Sequence, residues 1–451
     1  MAVSELSASP MWLARSSPSE QRMNSWLCRA FARSWMTLGI CAALLRSASA
    51  WAQEAAPPDS DATAHLSLSQ ALELARQRAP RIVAERLRIA EARGRLVGAS
   101  VLLRQNPVVE GGAGYRWAPA GESTTEGRAA VSQGFELGGQ RSARIAGARA
   151  QVTRAEALSD EAVRLVLSEV ARAFVRALHA RDRLELARSI QRVSEEVLQV
   201  SERRHASGDI AQLDLTLAQA TLARARAEVY AARAVLEESL AGLKQNLGST
   251  PDQAIGVEGN LAEPHVFDRA RLEALAADRP DLRALRAELR EAQADGELGS
   301  AQRWPELGLG ASYERHENAD ILLGTASLTL PIFERGQGQR AEAEARGRRL
   351  ASELRAGQNA VAVEVRTALA VYDQRLAAVQ ELARGALPLL DETEARVRQS
   401  YEAGQLPLID FLAVRREIVA TRIEYTDRLL DAAVAAVELS ASAGAFSGAN
   451  P

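Results

Sequence analysis

Lysine is nearly missing from this chain: Lys244 is the only one, so arginine supplies almost all of the positive charge. With a formal net charge of −3 there is no basic excess of the kind a nucleic-acid surface requires. The skew towards arginine fits a compositional bias of the coding sequence better than a functional choice. Aromatic residues make up only 4%, low for a compact enzyme with a large core. Cysteine is confined to Cys28 and Cys41. A chain that loses its first fifty or so residues would therefore have neither disulfides nor thiol chemistry. No later segment approaches the roughly 20 apolar residues that a membrane-spanning helix needs. The five histidines (His65, His179, His205, His265 and His316) are scattered, with no two at i, i+3 or i+4. No metal pair is thus pre-built on one helix. Phosphate-binding loops, dinucleotide fingerprints and nucleophile–base motifs are missing as well. We expect no enzyme, no cofactor and no metal site.

What is present begins with a leader. Arg29 and Arg33 precede the apolar run Met36–Leu45, and Ala48-Ser49-Ala50 follows. This is the order of a secretory signal: basic region, short apolar core, small-residue cleavage site. We expect a signal peptide over residues 1–50, with Ala52 as the second candidate for cleavage. The bulky Ile40 before Cys41 argues against a lipid anchor at that cysteine. Residues 51–65 read as a flexible lead-in.

The main body says the same thing twice. Pro80, Pro107, Tyr115, Phe135, Gly138, Gly208 and Asp214 recur as Pro280, Pro305, Tyr313, Phe333, Gly336, Gly404 and Asp410. The spacing is 200 residues at the first pair, 198 in the middle and 196 at the last. Such a period denotes a duplicated module rather than a short solenoid repeat. We place the first copy at 66–247, a linker at 248–268, the second copy at 269–441 and a tail at 442–451.

Each copy changes its hydrophobic period in the same order. Helical spacing gives way after Pro107 and Pro305 to alternation with period two. This predicts strands at about 108–117 and 128–137, then 306–315 and 321–330. Segments of roughly 10 alternating residues with aromatics towards one end are the pattern of outer-membrane barrel strands. An amphipathic hairpin of a soluble protein alternates in the same way, but two hairpins at matched repeat positions in a secreted chain favour the barrel. Long helices follow at 141–205 and 338–402. The first would extend roughly 95 Å at 1.5 Å per residue. Its apolar residues (Val163, Val166, Val170, Phe174, Leu178) repeat near heptad spacing, which favours coiled-coil packing. Pro388 interrupts the second and is expected to bend it. Gly208 and Gly404 break both helices, and the chain returns through helices at 211–247 and 409–439. One chain thus supplies four strands. Four cannot close a barrel, so closure requires several copies.

The segments Ala206–Ala220 and Glu402–Ala413, each with a glycine six residues before an aspartate, resemble the periplasmic tip motif of the TolC-type outer-membrane efflux family. The junctions Ser132–Arg141 and Leu330–Gly338 resemble its CzcC-like, heavy-metal branch. The likeness covers about Leu66 to Gly444. It implies a mainly α fold with a small β part: a duplicated repeat of long coiled-coil helices and two β-hairpins. Three such chains would form a 12-stranded outer-membrane β-barrel continued by a periplasmic α-helical barrel. The implied role is the passive exit duct of a tripartite efflux system for divalent cations such as cobalt, zinc and cadmium. The implied partners are two further copies, outer-membrane lipid, a periplasmic adaptor and an inner-membrane pump of the RND type.

His205, Gly208, Asp214, Tyr401, Gly404 and Asp410 would form the adaptor-docking tip. Asp410 and Asp214 are candidates for a pore constriction or, equally, for residues that stabilise the returning helices. Ala413 stands where some relatives carry a second acidic residue, so one ring is expected at most. Phe135, Gly138, Phe333 and Gly336 would form the strand–helix junctions. Two other readings compete: the same duct exporting drugs or a secreted protein, and a soluble periplasmic coiled-coil scaffold or adaptor.

Overall fold

The computed structural model describes residues 64–117, 124–250, 252–262, 266–316 and 319–446. The expected signal peptide and nearly all of the lead-in lie outside the described residues, as do the final five of the tail. All that follows concerns the compact unit Ala62–Pro451.

A short strand β1 (Ala64–Leu66) opens this unit. Helix α1 (Leu68–Arg78) starts at a capping box, in which Ser67 accepts from the Gln70 backbone and Gln70 returns the bond. Pro80 then occupies the first turn of α2 (Pro80–Ser100), where a missing N–H is harmless. Strands β2 (Val108–Arg116) and β3 (Thr124–Glu136) follow. Next come α3 (Gln140–Ala206) and α4 (Gln212–Leu247). Strand β4 (Ile255–Val257) leads into the second copy. That copy comprises α5 (Arg269–Ala277), α6 (Pro280–Ala301), β5 (Glu306–His316), β6 (Ala319–Thr329) and α7 (Gln337–Glu381). A π-helical turn at Leu382–Ala386 separates α7 from α8 (Leu387–Glu402), and α9 (Leu408–Ala443) closes the unit.

Several elements differ from the sequence expectation. The second strand begins at Thr124 rather than at residue 128, and the fourth at Ala319 rather than 321. Neither extension alternates in polarity, but ladder pairing carries on through it, with Thr124 opposite Arg116 and Ala319 opposite His316. The expected lead-in and linker each contribute a strand. Residues Ala64 to Leu66 pair in parallel with Ile255 to Val257, and Ile255 and Val257 are buried. A three-residue parallel pair between distant segments leaves no local periodicity to read. The single helix expected at 338–402 is two helices. Pro388 has no N–H to give, and its ring crowds the carbonyl four residues back. The π turn re-registers the ladder just ahead of it.

The four long strands form one antiparallel sheet in the order β2-β3-β5-β6, so the central pairing joins the two copies. Its register sorts the side chains by face. Val109, Val131 and Ala311 share one face, as do Phe135, Leu307 and Leu328. The opposite face carries Glu110, Arg116, Glu126, Arg128, Glu136, Glu306, Glu314 and His316. There Arg116 meets Glu126 at 2.6 Å and Arg128 meets Glu314 at 3.3 Å. One apolar face, one charged face and two unpaired edges, β2 and β6, are the result.

Helix α3 is the central post of the helical part, packed against α1, α2, α4, α6 and α9. Its Val163, Val166, Leu167, Val170 and Phe174 lie in the main core with Leu243, Leu247 and the β1–β4 pair. A second core joins α5, α6, α7 and α9 around Leu282, Val361, Tyr372 and Leu439. Two buried arginines hold the end of α9. Arg164 donates to the Ala441 carbonyl at 2.7 Å and Arg279 to the Ser442 carbonyl at 3.0 Å. Burial opposes the charge of Arg279, but hydrogen bonds and attraction from Asp281 and Glu364 outweigh it and raise its pKa.

Candidate functional site

The tip is made by two turns of the same construction. After α3, Gly208 takes a φ of +81°; its N–H reaches the His205 carbonyl at 3.0 Å, and the Asp209 N–H reaches Arg204 at 2.8 Å. After α8, Gly404 takes +77°; its N–H reaches Tyr401 at 3.0 Å, and the Gln405 N–H reaches Ser400 at 2.9 Å. Both are Schellman turns, which need a left-handed residue just past the helix and so select glycine. They satisfy the last carbonyls of the descending helices and send the chain back into α4 and α9.

Asp214 and Asp410 both fall in the first turn of a returning helix. No side-chain hydrogen bond caps either helix start, so their carboxylates act on the positive helix end through charge alone. Asp214 is half-buried, whereas Asp410 is exposed. His205 is half-buried and donates from Nδ1 to the Ile210 carbonyl at 3.2 Å, which ties it to its own turn.

Tyr401 departs from its expected place among the docking residues. It is 2% exposed and sits in a tip core with Val197, Ala218, Leu408 and Phe411. Its ring stacks on Phe411 at 4.7 Å, and the Arg204 guanidinium lies 5.5 Å from its centre. Ser201 gives its hydroxyl proton to the Val197 carbonyl, so the Tyr401 hydroxyl donates to Ser201 Oγ, at 2.9 Å. The side chain pins the second hairpin to α3 and is not available at the surface. The hairpins are also joined by an ion pair between Arg398 and Glu196. Sequence reasoning missed Ser201, Arg204, Phe411 and this pair, because each acts across the two copies. The one local signal was Phe411, an aromatic beside the tip aspartate.

The strand–helix junctions also need a correction. Gly336 is the left-handed residue that opens α7, with φ +71°, but in the first copy that role falls to Gly139, with φ +79°, and not to Gly138. The hydrogen bonds confirm the shift. Gln140 Oε1 accepts from the Gly138 N–H at 2.7 Å, while Gln337 Oε1 accepts from Arg335 at 2.7 Å. Gly138 therefore corresponds to Arg335. Its small size serves another purpose, since a Cβ there would lie 2.4 Å from that of Trp304. Phe135 is half-buried on the apolar face of the sheet, and Phe333 is 90% exposed.

Between α3, α6 and α7 lies a charged seam. Arg154 and Arg346 meet Glu288 and Glu291 at 3.0 to 3.7 Å. Burial, and then the nearby Glu291 charge, raise the pKa of Asp295 at its end. Among the described residues no group of three or more His, Cys, Asp or Glu is placed to hold a metal ion. Nor is any described helix long and apolar enough to cross a membrane.

The chain is 26% identical over 312 residues to the cobalt-zinc-cadmium resistance protein CzcC of Cupriavidus metallidurans, covering 67% of this chain and 73% of that one. Its structure resembles the outer membrane protein VceC of Vibrio cholerae, with a TM-score of 0.68 at 19% identity, over 84% of this chain and 96% of that one. It also resembles the open state of the MtrE outer membrane channel of Neisseria gonorrhoeae, with a TM-score of 0.66 at 18% identity, over 84% and 88% of the two chains. Those identities speak for the fold alone. The family described as outer membrane efflux protein matches residues 71–249 and 272–445, one span in each copy. With both spans matched and the fold shared, the chain belongs to the outer membrane efflux protein family.

Proposed function

We propose that three copies of this chain close a 12-stranded barrel in the outer membrane and act as the exit duct of a tripartite efflux system for divalent metal cations. The protein is an outer membrane efflux channel and not an enzyme. That location removes the soluble periplasmic scaffold as an alternative. The observation that carries the trimer is the four-stranded sheet with one apolar face and free edges at β2 and β6. Open edges are not tolerated in lipid. Two copies would give eight strands, whose interior side chains fill; three leave a passage. The charged face would line that passage, and the tip turns at Gly208 and Gly404, with His205, Asp214 and Asp410, would meet a periplasmic adaptor carrying an RND-type pump. Asp410, the more exposed aspartate, is the stronger candidate for a constriction ring.

Two features favour cations as cargo. One is the likeness to a cobalt-zinc-cadmium resistance protein. The other is the charged face of the sheet, where Glu110, Glu126, Glu136, Glu306 and Glu314 outnumber Arg116 and Arg128. The test is complementation. The chain is expressed in cells that keep a cation pump and adaptor but have lost their own duct. Restored tolerance to zinc, cobalt or cadmium is expected. Tolerance to drugs without tolerance to metals would hand the protein to the drug-export reading. The mass of the detergent-extracted protein checks the assembly, and a monomer would sink the barrel.

A further inference from the structure

Every chain connection between helix and sheet leaves the same end of the sheet, and an exposed arginine lies in or just beyond each of the four. Arg104 lies between α2 and β2, Arg141 in the first turn of α3, Arg303 between α6 and β5, and Arg335 between β6 and α7. None of the four has a carboxylate partner among the described residues. Arg141 donates instead to the Ser100 carbonyl at 2.7 Å, Arg303 to the Ser300 carbonyl at 3.1 Å and Arg335 to the Ile332 carbonyl at 2.9 Å. These bonds fix where the guanidinium groups sit but leave their charge uncompensated. On the charged face of the sheet, by contrast, Arg116 and Arg128 are paired with Glu126 and Glu314. Arg144, three residues beyond Arg141, is paired with Glu136 at 2.6 Å.

The same connections expose large apolar side chains. Leu102 is 75% exposed, Trp304 61% and Phe333 90%. Aromatic and apolar groups beside uncompensated arginines are the composition of a membrane–water interface. Guanidinium presents a donor fork that matches phosphate.

We propose that Arg104, Arg141, Arg303 and Arg335 form a docking belt for anionic phospholipid in the leaflet of the outer membrane that faces the helices. This rests on the barrel reading above, which sets the sheet in the membrane and the helices below it. The lipid's acyl chains lie along the apolar face, with Trp304 and Phe333 at the level of the ester groups. Its phosphate is held by the arginines.

Native mass spectrometry of the full protein, extracted in detergent and exchanged into phosphatidylglycerol or phosphatidylcholine, tests the belt. Wild-type trimers are expected to retain phosphatidylglycerol in preference. The R104Q/R141Q/R303Q/R335Q variant should remain trimeric and lose that preference, by about fivefold for each arginine removed. The matching Arg→Lys variant keeps the charge and should keep most of the preference, which guards against a folding defect in the glutamine variant. Equal retention of both lipids by wild-type trimers would overturn the belt while leaving the barrel intact. Trimers that fall apart in both variants would assign these arginines to contacts between copies and overturn it too. Wild-type protein that is monomeric throughout would overturn the barrel and the belt together.

Discussion

The two helical hairpins share their turn chemistry and most of their spacing, yet they are built differently along their length. Helix α3 runs for 67 residues without interruption, wrapped by five other helices, and buries side chains from Gln140 to Ser201. Its counterpart stops after 45 residues, passes through the π turn and resumes as a 16-residue helix. Helix α7 buries only Ala343, Leu350, Val361, Val365, Tyr372 and Val379. A helix clasped on several sides tolerates no break, because a change of register would unseat its whole buried stripe. A helix with one clasped side can absorb one. The duplication thus yields a post and a more adaptable arm.

The largest expected effect lies where the arm meets the post. Tyr401→Ala removes a buried ring and its stacking on Phe411, and should destabilise the protein by about 3–5 kcal/mol. His205→Ala, at the matching place in the first hairpin, should change stability by less than about 1 kcal/mol. Thermal unfolding in detergent measures both. Similar losses would show that the two tips are equivalent after all.

Next comes the break itself. Arg192 precedes Gly208 by 16 residues, as Pro388 precedes Gly404. Arg192→Pro would impose on exposed backbone of α3 the interruption that the arm already accommodates, at a loss of about 3 kcal/mol. Pro388→Ala should shift stability by less than about 1 kcal/mol but slow amide exchange across Leu382–Ala386, as the ladder regains its register. Unchanged exchange there would mean that the proline does not cause the π turn.

The junction glycines give a smaller contrast. A Cβ on Gly336 would lie 2.1 Å from the Gly299 carbonyl oxygen. Gly336→Ala therefore combines backbone strain with a clash, about 2–3 kcal/mol. At Gly139 the nearest atom is Ser142 Oγ at 3.4 Å, so Gly139→Ala should lose only the conformational part, about 1 kcal/mol. Equal losses in unfolding experiments would remove the distinction between the two junctions.

The smallest effects are those of pH, and they have opposite signs in two parts of the second copy. Burial works against the charge of Asp281, but hydrogen bonds and attraction from Arg279 outweigh it and hold its pKa below the ordinary 3.8. Its contribution is whole above pH 3.8 and is lost as pH falls through the depressed folded value. Asp295 is raised above 3.8 by burial and by Glu291, so its charged form lowers stability near neutral pH, and that loss recedes as pH falls through the raised value. Asp281→Asn should thus weaken the fold near neutral pH, whereas Asp295→Asn should strengthen it. Unfolding temperatures measured from pH 3 to pH 7 would separate them, and parallel profiles would refute the opposition.

Much of the fold was legible in the chain because periodicity is local. Alternation at Val109 to Tyr115 and Leu307 to Tyr313 marked strands, and the stripe from Val163 to Leu178 marked α3. Turn glycines were legible for the same reason: a Schellman turn needs only one residue with positive φ, and Gly208 and Gly404 supply it. The site was less so. Tyr401 looks like a surface residue near a helix end until Phe411, Ser201 and Arg204 close around it. The parallel pairing of β1 with β4 joins residues about 190 apart in sequence and is too short to show a period.

By itself, then, the order of residues determined the long helices and strands, their duplication and the turns between them, because each depends on backbone preferences and on spacing within a few residues. Only the tertiary structure decided which tip residue is buried, which side chains pair across the two hairpins and why Gly138 must be small. Each of those depends on what the other copy of the repeat places alongside, and that neighbour lies some 200 residues away in the chain.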